Sequence, residues 1–204
     1  MASYSRLTNL ATRVRQTVIT VALTAIVLVQ GVRAAQDVAV EAQRRGNALA
    51  VDAHATLRAS LPLIWRTLTD YDHLAEFIPG MKQSHVLERR GNTAIVEQTG
   101  EASVFFFSYP ITVTVESEEH YPATIGVRIL NGNLRQLSGA YQIGTVYDTP
   151  DEFVLRWRGV IEPEISLPFF LTAPGLRNAV ADEFLGMIRE IERRRTTQSA
   201  SRPE

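Results

Sequence analysis

The stretch "WRTLTDYDHLAEFIPG", Trp65 to Gly80, places Asp70, Asp72, His73 and Glu76 within seven positions. Acids and a histidine packed this closely suggest a metal centre or an acid–base site. Spacing argues against the metal, because ligands must converge on one point while helix neighbours one or two apart diverge, and His73 has no second histidine at a helical ligand spacing. His54, His85 and His120 fall in unrelated runs. The expectation is structural: Asp70 and Asp72 flank a helix end and bond freed backbone groups, while Tyr71, Leu74, Phe77 and Ile78 pack inward.

Other charges interrupt apolar runs. Glu97, Glu101, Arg128, Arg156 and Arg158 all lie within strand-like segments. Arg156 and Arg158 are two apart and share one face, opposite Trp157. On a solvent face they are ordinary. On an interior face they require a partner such as Glu97 or a ligand anion, because two unpaired buried cations are too costly. Nucleophilic catalysis finds no support, since the chain has no Cys and no G-x-S-x-G. "NGN" at Asn131 to Asn133 is turn chemistry, with no Lys and no helix start after it, so phosphate-loop and dinucleotide readings are rejected. No catalytic residue, metal or cofactor is assigned.

The elements that must carry these residues can be read in order. Residues 1–34 hold four arginines and no acid, with an uncharged apolar run from Val18 to Val29 and small residues before Ala34. This is the order of a secretory signal peptide. A twelve-residue helix rises only about 18 Å, against the roughly 30 Å of a bilayer core, so cleavage after Ala34 and export to the periplasm are expected, with an uncleaved membrane anchor as the alternative. Cleavage would reduce Lys+Arg from 21 to 17 against 22 Asp+Glu, a formal charge of −5, which excludes nucleic acid as a partner. Without cysteine, stability must come from an ordinary core.

Residues 35–46 read as a linker or the approach to a first strand. From Ala48 to Ala59, apolar and polar residues alternate with the period of a half-buried strand. Ser60 and Pro62 then open a short amphipathic helix carrying Leu61, Ile64, Trp65 and Leu68, and Pro79-Gly80 ends the helical region. Seven β-type runs follow between Ser84 and Val160, among them Thr93 to Gln98 and Ser103 to Phe107, with turns such as Arg90-Gly91-Asn92 and Thr149-Pro150-Asp151 between runs. Short turns imply antiparallel pairing.

After Pro174-Gly175, one long helix places Leu176, Val180, Phe184, Met187, Ile188 and Ile191 on a stripe, with Asp182, Glu183, Arg189 and Glu190 elsewhere. Arg193, Arg194 and Arg195 close its last turn, and residues 196–204 read as a disordered tail. The fold class is therefore α+β: a curved antiparallel sheet covered by its one long amphipathic helix.

Three stretches in this order, "LPLIWRTLTDYDHLAEFIPGM", "LSGAYQIGTVYDTPDEFVLRWRGVIEPEISLPFFL" and "LRNAVADEFLGMIREIERR", resemble the START-like or helix-grip superfamily, in particular its polyketide cyclase/dehydrase and coenzyme-Q-binding group. The resemblance covers Ala48 to Arg195, within a domain placed at 47–195. It implies about seven strands gripping the C-terminal helix, with a hydrophobic cavity between them that binds a lipid, isoprenoid or polyketide-like molecule. It supplies no family-wide catalytic residue.

The lining expected on this basis is Leu74, Phe77, Ile78, Phe105, Phe107, Tyr141, Trp157, Phe169, Phe184 and Ile188, with Arg128, Arg156 or Arg158 meeting a polar head. Such a pocket would span about 300–1,000 Å³. Phe169, Phe170 and Leu171 could also touch a membrane transiently. Two other functions stay open. A cyclase or dehydratase needs an acid or base in the pocket, with Glu97, Arg128, Tyr141 and Glu162 the first to test. A chaperone or assembly factor for a membrane complex would instead show a filled core.

Overall fold

The computed structural model describes residues 38–104, 107–164 and 169–201. The signal segment expected over residues 1–34 lies outside them. Among the described residues, eight strands form one antiparallel sheet: β1 (Ala39–Arg45), β2 (Ala48–Arg58), β3 (Met81–Arg90), β4 (Thr93–Val104), β5 (Phe107–His120), β6 (Thr124–Gly132), β7 (Leu134–Thr145) and β8 (Glu152–Pro163). Their order across the sheet is β1-β2-β8-β7-β6-β5-β4-β3. Helix α1 (Leu61–Leu68), a 3-10 turn (Tyr71–His73) and α2 (Leu74–Phe77) connect β2 to β3 at the opposite edge. Helix α3 (Phe169–Ala200) covers the sheet.

The alternation read in β2 has a direct structural counterpart. Val51, Ala53, Ala55 and Leu57 are buried, while Asp52, His54, Thr56 and Arg58 turn outward. Val113 and Val115 of β5, Val96 of β4 and Leu155 and Trp157 of β8 extend the same concave face, and Val180, Phe184, Met187 and Ile191 of α3 pack onto it. Register shifts in β3 between Val86 and Glu88, in β6 at Leu130 opposite Thr114 and Val115, and in β7 between Leu134 and Gln136 bend the strands around the helix. No helix among the described residues is long and apolar enough to cross a membrane.

Four expectations change. Ala39–Arg45, read within a linker, is an edge strand paired with β2 along its whole length, because Val40 and Ala42 pack against the core. The sheet accordingly has eight strands. The runs separated as Thr93–Gln98 and Ser103–Phe107 join through Gly100, where a Cβ would lie 2.6 Å from the Gly80 carbonyl, so β4 continues to Val104. Helix α3 begins at Phe169 with Pro174 inside it and continues to Ala200, so Arg193–Arg195 precede its end and Thr196–Ala200 are helical. Thr196, Thr197 and Ser199 donate hydroxyl hydrogen bonds to carbonyls four residues back, which helical geometry satisfies without leaving the helix.

Candidate functional site

Between α3 and the concave face lies a cavity of about 200 Å³. Leu74, Ile78, Tyr141, Trp157 and Phe184 line it, as the sequence suggested, joined by Val113, Ile125, Leu137, Ala179 and Met187 among others. The space is smaller than the 300–1,000 Å³ expected, and among its lining residues Tyr141 and Trp157, on neighbouring strands, have ring centroids 4.8 Å apart. The indole of Trp157 can lie across the sheet because Gly139 and Gly159 face each other on β7 and β8. A Cβ at either would come within 2.7 Å of the ring.

The polar content of this cavity is specific. Glu183 of α3 projects into it, and the Tyr141 hydroxyl donates to Glu183 Oε1 at 3.4 Å, a long contact. Glu183 is exposed as a residue and lines a pocket that is partly open, while the protein around its carboxyl still disfavours the charge. That environment raises the Glu183 pKa above the ordinary carboxyl value, against the opposing effect of the Tyr141 hydrogen bond. Burial also raises the Tyr141 phenol well above its ordinary value, with the Glu183 charge adding to it. No Lys, Arg or His occurs among the described lining residues. A second phenol, Tyr71, lines the opposite wall with its hydroxyl buried and without a hydrogen bond of good geometry, although Ser117 and Glu119 lie near enough to affect its titration.

The three arginines expected at a ligand head group lie outside the cavity. Arg156 and Arg158 point to the convex face, where Asp52 accepts from Arg156 at 2.7 and 2.5 Å and from Arg158 at 2.9 Å. Strand pairing brings this triad together, since Asp52 stands opposite Arg158 and His54 opposite Arg156. The Arg156 hydrogen bond, ahead of the Arg158 one, keeps Asp52 below the ordinary carboxylate range against its partial burial. Arg128 makes a two-pronged ion pair with Glu116, its direct cross-strand neighbour, at 2.7 and 2.8 Å. Glu97 is exposed and Glu162 pairs with Arg135 at 3.8 Å, so Tyr141 alone of the four proposed acid–base groups reaches the cavity.

Two expected apolar contacts also move. Phe77 is half-buried beneath the Arg194 guanidinium, 5.5 Å from its ring centroid, and Ile188 is buried on α3 one position round from Met187, outside the lining. Phe105 and the side chains of Phe107 and Phe169 lie outside the described residues.

The acids of the opening stretch are not helix caps. The Thr69 N–H already donates to the Trp65 carbonyl at the end of α1, leaving the carboxylates free for tertiary partners. Asp70 bonds His73 at 2.6 Å and Arg194 of α3 at 2.7 Å, while Asp72 accepts the Val86 N–H of β3 at 2.8 Å. Arg194 continues to the buried Glu190 at 2.6 Å, which Arg193 also holds. This network fastens the segment that bears the lining residues Leu74 and Ile78 to the covering helix.

These features define a class. The chain matches the model of the polyketide cyclase / dehydrase and lipid transport family over residues 57–181 and belongs to that family. Solved structures share the START-like helix-grip fold. The ZhuI aromatase/cyclase from Streptomyces sp. R1128 is 16% identical with a TM-score of 0.61, covering 72% of this chain and 95% of that one. Human STARD10 is 8% identical with a TM-score of 0.55, covering 80% and 76%. A STAR-related lipid transfer protein fragment from Xanthomonas axonopodis is 10% identical with a TM-score of 0.53, covering 76% and 98%. Comparison with curated proteins gives no match.

Proposed function

We propose that this protein binds a hydrophobic small molecule between α3 and the concave face of its sheet and shields it from water, as a carrier. The cavity among Leu74, Ile78, Trp157 and Phe184 carries the reading. Family membership supports it, and so do the lipid transfer proteins among its structural relatives. Apolar burial at roughly 25 cal/mol per Å² would supply the affinity. At about 200 Å³ the space is somewhat larger than the ~150 Å³ cavity that holds benzene, so it accommodates one ring or a chain end. Native mass spectrometry of the full chain purified from its own host should show a small apolar adduct that organic extraction removes. Uniformly clean apo protein that also fails to take up added hydrophobes would sink the reading.

One observation favours a second reading, an enzyme of the cyclase/dehydratase kind. Glu183 and Tyr141 form a carboxyl–phenol pair in an apolar cavity with shifted titration, an arrangement suited to proton transfer. Turnover of a polyketide-like substrate that disappears in Glu183→Gln would select it over the carrier.

A further inference from the structure

The cavity treats charge asymmetrically. Its described lining holds no cation, while Glu183 stands inside it and Glu101 at the rim is already paired with Lys82 at 2.8 Å. Glu183 reaches this position because it lies on the stripe of Leu176, Val180 and Met187, at four- and three-residue steps. Its Oε1 accepts the Tyr141 hydroxyl, and its Oε2 has no hydrogen bond to any described residue. The ionisable groups around it are few: Tyr141 from β7 and Tyr71 from the 3-10 turn, with Ser117 of β5, Trp157 of β8 and Met187 of its own helix uncharged. No described lining residue offers a cation to a carboxylate, which favours the protonated acid, and the O–H of that form is a donor at the cavity wall.

We propose that Glu183, steadied by Tyr141, is the head-group site of this cavity, and that the ligand is an uncharged, ring-sized hydrophobe bearing a carbonyl or hydroxyl oxygen that accepts the Glu183 proton. An organic anion meets no cation here and is excluded. A bare hydrocarbon leaves the donor unsatisfied and binds more weakly. The proposal rests on the reading of the cavity as a ligand site.

The test compares four probes of nearly equal size, acetophenone, ethylbenzene, benzoate and benzylammonium, against the full chain by protein-observed NMR titration. It is run at about pH 5 and about pH 9, on either side of the range into which buried carboxyls shift. At the lower pH acetophenone should bind about 3- to 10-fold more tightly than ethylbenzene, the worth of one neutral hydrogen bond, with benzoate weakest. That preference should shrink at the higher pH, as the donor becomes a carboxylate. Glu183→Leu should bind acetophenone and ethylbenzene equally. Glu183→Gln, whose amide still donates, should keep the preference at both pH values, and it remains informative if the leucine variant does not fold.

Equal binding of ketone and hydrocarbon by the parent chain, or a preference that survives Glu183→Leu, overturns the head-group assignment and leaves the apolar cavity reading intact. Tightest binding of benzylammonium overturns it in favour of an ionised Glu183 that pairs with cations. Binding of none of the four overturns both.

Discussion

A carboxyl that lines an apolar cavity with one phenol as its partner weighs against folding to the extent that water does not reach it, and Glu183 is such a group. Because its pKa is raised in the folded protein, the folded state holds more protons than the unfolded one over the interval between the ordinary and shifted values. Stability should therefore be fullest below the ordinary carboxyl range and fall as pH rises through the shifted value. Glu183→Gln should remove that slope, and Glu183→Leu should raise the melting temperature at neutral pH, by an amount that solvent access to this exposed side chain keeps small. Thermal melts of the three proteins across pH check both points, and a parent chain whose stability is flat or rises over this interval contradicts them. The signal for Glu183 is present in the sequence, as an acid in step with the stripe 176–180–187 that faces the cavity. On an amphipathic helix an acid is expected on the wet face, which sets position 183 apart from the apolar stripe. Arg156 and Arg158 show the converse: their shared face was legible, but which face it was depended on Asp52, more than a hundred positions away in sequence and brought opposite by the pairing of β2 with β8.

At the scale of elements, the segment 70–78 depends on α3 through charge as well as packing. Arg194 links Asp70 to Glu190, and its guanidinium lies over Phe77. Burial works against Asp70 ionising, but the His73 and Arg194 hydrogen bonds outweigh it and lower its pKa. Glu190 is lowered chiefly by Arg193, with burial opposing and Arg194 adding to the effect. A depressed carboxyl contributes stability above its ordinary pKa and loses it as pH falls through the depressed one. Arg194→Met keeps much of the stem packing and removes the tie. It should cost about 1–3 kcal/mol near neutrality, the range for charge-assisted hydrogen bonds, and the gap to the parent should close in acid. Hydrogen exchange at Leu74 to Ile78 should quicken in the variant. Unchanged exchange there would mean that packing alone holds the segment. Periodicity located α1 and the apolar residues of this stretch correctly, because those are local signals. The carboxylate partners were not legible, since Asp70 and Arg194, 124 positions apart, meet only once the covering helix has docked.

For the whole molecule, alternation and turn chemistry sufficed to read a curved sheet closed by one helix, and three stretches carried the family. They did not fix the cavity's volume, which depends on how two rings settle over the facing glycines Gly139 and Gly159. That volume has a thermodynamic meaning. The apolar part of the lining forfeits dispersion contacts where nothing packs against it, a cost that a bound apolar group offsets. Filling it should then separate stability from binding. Ala179 lines the space from α3, half-buried and one turn before Glu183, where a larger aliphatic group would extend into the void. Ala179→Leu should stabilise the chain by about 0.5–2 kcal/mol, as cavity-filling substitutions commonly do, while weakening acetophenone binding at least tenfold. Denaturant titration and ligand titration of the same preparation measure the two effects together. A variant that gains stability and still binds as the parent does would place the ligand elsewhere on the molecule. One that loses both stability and binding would show that the lining has no room for three more carbons, and that the void closes in solution.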